Sequence, residues 1–208
     1  MKCLKKGGIA YIISSPSGGG KSSLIKEICI EFNNIWRSVS MTTRKPRNKE
    51  VDSKDYYFVT KEEFEKTKNG GGLLEHATVY GNEYGIPKSI VLEKLQQNTD
   101  VIFEIDWQGA INLRSALKNA LKNYFAVVSI YILPPSFEEL EKRLISRKDD
   151  IGVIKKRMLQ AESECSHCNE YDYVIVNDDF NNSLHTLMTI ITAEKHKTNN
   201  LSIYFPPT

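Results

Sequence analysis

Cysteine is scarce: four residues in a chain of 208 are too few and too scattered for a disulfide framework. Cys165 and Cys168 form a CxxC with His167 between them, while Cys3 and Cys29 stand alone. A zinc site would want a second pair or further His ligands at suitable spacing. The pair reads instead as two thiols three apart on one helix face, in keeping with a reducing cytoplasm. Long apolar runs are lacking as well, and none approaches the ~18–20 residues needed to span a bilayer. The basic opening Met1-Lys2-Cys3-Leu4-Lys5-Lys6 imitates a secretory n-region. The apolar stretch 9–13 is shorter than an h-region of ~7–15 residues, and no cleavage site follows, so a buried strand is expected there. Charge of one sign is not in excess either: 28 Lys and Arg against 26 Asp and Glu leave a net +2. That excludes a basic nucleic-acid coat and an acidic disordered tail. No internal repeat or low-complexity segment appears.

What is present reads as an α/β chain, between one domain and two in length. The apolar, β-branched run 9–14 is followed by glycines and then by Leu24, Ile25, Ile28 and Phe32 at helical spacing. Further strand-like runs occupy residues 101–105, 126–133 and 173–177, each followed by a helical pattern. Continuous apolar strands alternating with helices predict a parallel sheet covered on both faces. Residues 38–90 break that rhythm, with strands expected at 56–59 and 76–80, a short helix at 61–68 and many glycines between. This stretch reads as a small mixed insertion. Residues 147–153 are polar and poorly periodic, a tip between two helices.

The sharpest local signal is Ser15-Pro16-Ser17-Gly18-Gly19-Gly20-Lys21-Ser22. The phosphate-loop pattern wants Gly, four residues, then Gly-Lys-Ser/Thr; Ser15 stands at the first glycine and the rest fits. Glycines at 18, 19 and 20 let backbone N–H groups curl around phosphate oxygens, and the helix that follows adds its dipole. Lys21 is expected on the β- and γ-phosphates and the Ser22 hydroxyl on Mg²⁺. Other groups suit anions too. Between Arg37 and Arg47 stand four basic residues and no acid, and Arg44 and Arg47 carry forks that match phosphate oxygens. Tyr56 and Tyr84 could add neutral donors. Glu75, an acceptor-only group when ionised, suits a purine edge with two neighbouring N–H donors. Glu104 and Asp106 share a strand face at the end where open α/β sheets bind ligands, fit to hold Mg²⁺ or its waters. Asp106 could equally cap the next helix. Arg143, Arg147 and Arg157 bracket the tip. They could close on a transferring phosphate or pair with Glu139 and Glu141 along the helix.

Taken in order, these blocks resemble guanylate kinases, members of the nucleoside monophosphate kinases with a P-loop fold. The resemblance runs from about residue 8 to 196. It is carried by the phosphate loop, by Ser38-Val39-Ser40-Met41-Thr42-Thr43-Arg44-Lys45-Pro46-Arg47, by Asp55-Tyr56-Tyr57-Phe58 and by Tyr80-Gly81-Asn82-Glu83-Tyr84-Gly85. Two further blocks are Glu104-Ile105-Asp106-Trp107-Gln108-Gly109-Ala110 and Tyr173-Val174-Ile175-Val176-Asn177-Asp178-Asp179. It implies a P-loop parallel sheet flanked by helices, formed by residues 1–37, 91–137 and 158–208, with a GMP-binding insertion at 38–90 and a helical lid at 138–157. It implies a cytoplasmic enzyme that phosphorylates GMP, and dGMP, with ATP and Mg²⁺, and needs no nucleic acid or membrane. By matching positions, Ser17, Gly18, Gly19, Gly20, Lys21, Ser22, Ser23 and Asn177 would bind ATP. Ser40, Arg44, Arg47, Tyr56, Glu75, Tyr84, Ile86 and Asp106 would bind GMP. Ser22, Glu104 and Asp106 would serve the metal, and Lys21, Arg44, Arg143, Arg147 and Arg157 the transfer itself. The alternatives are a P-loop kinase for another nucleoside monophosphate and a non-catalytic binding module of the same fold. The chain departs from the family at Ile86, where a Thr or Ser hydroxyl usually helps hold guanine; a missing neutral hydrogen bond costs about 0.5–1.5 kcal/mol. A second departure is Lys148, where Gly is frequent, in a lid that looks short.

Overall fold

The computed structural model describes residues 2–5, 7–47, 50–79, 81–121, 125–147 and 150–204. Tyr80, Lys148 and the last four residues of the tail therefore lie outside the described residues. Along the chain the elements run β1 (Lys2–Lys5), β2 (Ala10–Ser14), α1 (Lys21–Glu31), β3 (Ile35–Arg37), β4 (Met41–Thr42), β5 (Tyr57–Phe58), α2 (Lys61–Asn69), β6 (Leu73–Val79) and β7 (Asn82–Pro87). They continue with α3 (Lys88–Gln96), β8 (Asp100–Glu104), α4 (Trp107–Leu121), β9 (Val127–Leu133), α5 (Phe137–Ser146), α6 (Ile151–Ser166), β10 (Tyr173–Val176), α7 (Phe180–His196) and β11 (Leu201–Tyr204).

The main sheet has the order β10-β9-β2-β8-β3, with every neighbouring pair parallel. All five residues of β2 are buried, which explains why that strand is apolar without alternation. Its period-2 geometry sends side chains to opposite faces. Tyr11 and Ile13 join Leu24, Ile25 and Ile28 of α1 and Leu187 and Ile191 of α7. Ala10 and Ile12 join Val91 and Leu95 of α3 and Leu113 and Leu117 of α4. The expected parallel sheet with helices on both faces is therefore the one observed. Sequence periodicity passes over β3, whose three residues are too few to show a period, and over the antiparallel pair of β1 and β11.

The insertion folds as a second sheet of order β5-β4-β7-β6, parallel between β4 and β5 and antiparallel elsewhere. Its helix α2 opens with a capping box, Thr60 and Glu63 each accepting the other's backbone N–H. The second sheet is anchored to the first by apolar contact, because Leu74 of β6 and Ile86 of β7 belong to the same buried cluster as Ala110 and Leu113. Two residues of β6 between Leu73 and His76 oppose only one of β7, a bulge that carries Leu74 and Glu75. Helices α5 and α6 pack on each other through Leu140, Leu144, Ile154 and Ala161, capped by Ser136 and Asp150.

Ile86, singled out as a family departure that would touch guanine, is only 4% exposed and sits in this apolar junction. Substituting Ile86→Thr places a hydroxyl among hydrocarbon and removes a methylene. The expected outcome is a loss of about 1–3 kcal/mol of stability, read as a lower Tm in thermal unfolding. An unchanged Tm would show that the side chain does not hold the two sheets together.

Candidate nucleotide site

At the end of β2 the chain must leave a sheet that is covered on both faces, and it does so through three consecutive glycines, two of them in backbone conformations that disfavour a side chain. Gly18 and Gly20 adopt φ of +101° and +98°, the left-handed region that disfavours a Cβ. A Cβ on Gly19 would fall 2.0 Å from Ser15 Oγ, and one on Gly20 would fall 2.2 Å from Asn177 Nδ2. Ser15, the departure from the usual first glycine, donates its hydroxyl to the Pro16 carbonyl at 2.9 Å. The Gly19 N–H closes the turn on that same carbonyl at 3.0 Å. Helix α1 then begins at Lys21 with Gly20 as its N-cap and no side-chain cap, so its first amides are left to an incoming acceptor.

The loop lines a cavity of about 260 Å³ together with Lys21, Ser22, Glu104, Asp106, Arg147 and Glu164. Lys21 donates to the Ile105 carbonyl at 3.2 Å. Burial lowers its pKa, opposed by the carboxylates of Glu104 and Asp106. Ser22 donates its hydroxyl to Glu104, whose other oxygen pairs with Arg37 at 2.8 Å. Asp106 accepts the Gly109 N–H at 2.8 Å through Oδ1. It thus caps α4, as the first of its two readings expects, and its carboxylate also lines the cavity. A hydroxyl beside two carboxylates is the oxygen donor set that a hard divalent cation takes when phosphates and waters complete its shell. Ser17 and Ser23 are exposed at the same loop and helix start.

The insertion contributes a second cluster. Arg44 makes a two-pronged ion pair with Glu50, at 2.9 and 2.8 Å, and its guanidinium lies 5.3 Å over the Tyr56 ring. Glu50 raises the pKa of Arg44 and is itself held below the usual carboxylate range by Arg44 and by the Arg47 amide, 2.6 Å away. Tyr56 and Tyr84 meet edge to face at 5.9 Å. Ser40 stands beside them, its carbonyl accepting the Tyr57 N–H at 2.9 Å. Arg47 is exposed. Glu75, at the bulge of β6, is half-buried, and burial reinforced by Asp106 pushes its pKa up to about 7. Asp106, which lines the loop cavity, thus lies within electrostatic reach of the insertion's carboxylate.

The lid arginines divide. Arg147 lines the cavity. Arg143 pairs with Glu139 at 3.2 Å, as helical spacing allows, and also donates to the Asn177 carbonyl at 3.0 Å. Arg157 is half-buried on α6 with Glu164 in its field. Asn177, 5% exposed, gives its side-chain amide to the Gly19 carbonyl at 2.8 Å. Two members escape sequence reasoning. Glu50 follows Arg44 by six residues in a loop, a spacing with no regular meaning. Glu164 lies seven residues beyond Arg157 and so shares its helix face, the one signal that could have pointed to it.

Comparison with known proteins gives a concordant result. The guanylate kinase family model matches residues 8–194. The guanylate kinase of Rickettsia felis is 50% identical over 195 residues, covering 93% of this chain and 98% of its own. That of Ehrlichia chaffeensis is 47% identical over 196 residues, covering 94% and 91%. The crystal structure of guanylate kinase from Anaplasma phagocytophilum matches with a TM-score of 0.72 at 37% identity, covering 95% of this chain and 92% of that one.

The environment of Glu75 makes a stability prediction. Its pKa in the folded chain is raised above the unfolded value, so the folded state favours the protonated form. Its contribution is fully present below about pH 4.5 and is lost as the pH rises through about 7. Glu75→Gln removes that loss. The variant is expected to melt above the wild type at pH 8 and close to it at pH 4.5. Equal melting temperatures at both pH values would contradict the assigned environment.

Proposed function

Since the chain belongs to the guanylate kinase family, we propose how its residues move the γ-phosphoryl group of ATP to GMP. It is an ATP:GMP phosphotransferase whose products are ADP and GDP. One juxtaposition carries the residue assignments. The glycine loop, Lys21, Ser22, Glu104 and Asp106 open on one cavity, and Asp106 is near enough to Glu75 to raise its pKa. Groups suited to a triphosphate and a group suited to a purine edge thus meet at the C-terminal edge of the main sheet, in agreement with the rule for open α/β sheets.

On this reading Ser17, Gly18, Gly19, Gly20, Ser22 and Ser23 cradle the triphosphate with backbone and hydroxyl donors, and Lys21 spans its terminal phosphates. Asn177 serves the ATP side by bracing the Gly19 carbonyl. Ser40, Arg44, Arg47, Tyr56 and Tyr84 take the GMP phosphate. Arg44 is held ready by Glu50 and the Tyr56 ring, so little side-chain entropy is lost when phosphate arrives. Glu75, ionised, accepts from guanine N1–H and N2–H₂, and Asp106 lies beside it. Ile86 supports this surface from beneath. The residue set fits a divalent cation: Ser22, Glu104 and Asp106 would hold Mg²⁺, which supplies charge neutralisation on the phosphates.

The transfer needs positioning more than covalent help. The acceptor oxygen of GMP is already anionic near neutral pH, so no strong base is called for. The difficulty is Coulombic, because two polyanions must approach in line. Lys21, Arg143, Arg147 and Arg157 stabilise the charge that spreads over the moving phosphoryl group, and closure of residues 138–157 over the site keeps out water that would otherwise accept it. The unpaired thiols of Cys29, Cys165 and Cys168 support a reducing compartment, the cytoplasm. Among the described residues no helix is long and apolar enough to cross a membrane.

Lys21→Ala is expected to lower kcat by about 10²–10⁴-fold with unchanged circular dichroism; near-normal turnover would refute the assignment. A coupled assay across GMP, dGMP, AMP, CMP and UMP tests the acceptor. GMP and dGMP should be used and the others rejected. Glu75→Gln sets an amide donor against a guanine donor, and kcat/KM for GMP should fall roughly 10- to 100-fold. Retained GMP selectivity in that variant would remove Glu75 from the base site.

A further inference from the structure

Glu50 is the carboxylate that ties the insertion's two arginines together. It stands in the loop between β4 and β5, outside every strand and helix, with its side chain 20% exposed and that of Arg44 13%. Its Oε1 accepts from Arg44 Nη2 at 2.8 Å and its Oε2 from Arg44 Nη1 at 2.9 Å. The same Oε2 accepts the Arg47 N–H at 2.6 Å, and the Glu50 N–H returns to the Arg47 carbonyl at 3.1 Å. Arg44 Nη1 also donates to the Lys45 carbonyl at 2.8 Å. The rings of Tyr56 and Phe58 lie 5.3 and 5.8 Å from the centre of the guanidinium. Two parallel bonds to one carboxylate fix the plane of the fork, and the two rings limit its remaining movement.

We propose that Glu50 is a positioning residue for the acceptor phosphate: it fixes the Arg44 fork and the chain at Arg47 so that both meet the phosphate of GMP as one preformed unit, and it stays in place when GMP binds. This rests on the acceptor-site reading above. A carboxylate beside a phosphate site can act in two opposed ways, by competing for the arginine or by holding it. The edge of the guanidinium that it takes decides between them. A planar guanidinium offers one pair of donors across its Nη1–Nη2 end and another along its Nε–Nη2 side. Glu50 takes the end, so a phosphate can grip the side without Glu50 leaving. An untethered arginine would also surrender rotamer freedom on binding, whereas here that freedom is already lost on folding. The effect falls on the phosphate and not on the base. Glu50 thereby favours a nucleoside monophosphate over the nucleoside as the molecule that fills the insertion.

Steady-state kinetics on the full chain test this. Glu50→Gln keeps the shape and one acceptor oxygen while loosening the fork. It should raise KM for GMP about tenfold, with kcat reduced no more than about threefold and KM for ATP unchanged. Guanosine, which lacks the phosphate, should inhibit wild type and variant with Ki values within about twofold of each other. Glu50→Asp keeps the charge at a shorter reach and should raise KM for GMP about threefold. It also carries the comparison of GMP with guanosine if the Gln variant folds poorly. In an Arg44→Met background, Glu50→Gln should change KM by less than about twofold, since its main partner is gone. A KM for GMP that is unchanged or lower in Glu50→Gln, as for a carboxylate that competes with phosphate, would overturn the proposal. So would an equal weakening of guanosine, or an undiminished effect without Arg44, either of which marks a merely structural role. If Arg44→Met itself leaves KM for GMP unchanged, the acceptor-site reading falls first and this inference with it. A raised KM there beside an unchanged one in Glu50→Gln removes this inference alone.

Discussion

Five consecutive residues of β2 have no contact with solvent, and the remaining architecture follows from that burial. A strand hidden on both faces needs helices above and below it, and parallel neighbours satisfy its backbone on either side. The chain can then leave the strand only at the carboxyl edge, where it must reverse sharply toward α1. Glycines make that reversal possible, and the uncapped helix start that follows makes it an anion site. The same burial explains the composition: the hydrophobic share is concentrated in a few unbroken runs, while the insertion and lid are polar and charged.

The near-neutral net charge conceals how charges are placed. Several cations at the site are paired with a carboxylate: Arg37 with Glu104, Arg44 with Glu50, and Arg143 with Glu139. Such pairing holds long side chains in place before any phosphate arrives, at the cost of competition when it does. Charges that sum to +2 over the whole chain therefore say little about a cavity where a few donors converge.

Much of this was legible in the residues. The strand, loop and helix around Lys21 could be placed from hydrophobic periodicity and glycine spacing, and the shared face of Glu104 and Asp106 from period 2 alone. The short strands β3 and β4 were not legible, since two or three residues carry no period and are defined by their partners in the sheet. Glu50 and Glu164 were missed because the fold, and not the local sequence, carries them to Arg44 and to the wall of the loop cavity. Ile86 shows a different limit. The resemblance ties that position to the base, whereas packing puts the side chain in the junction between the two sheets, a fact that depends on Leu74 and Leu113 arriving from elsewhere.

Asn177 gives its side chain to the phosphate loop and its carbonyl to a lid arginine, and it also crowds the space beside Gly20. Loop and lid are thereby keyed to one residue near the start of α7, far from both in sequence. Chimeras that exchange lids among relatives would need to carry positions 20, 143 and 177 across as a set. Transplanting residues 138–157 alone would deliver helices with their arginines but leave the joint that registers them against the loop behind.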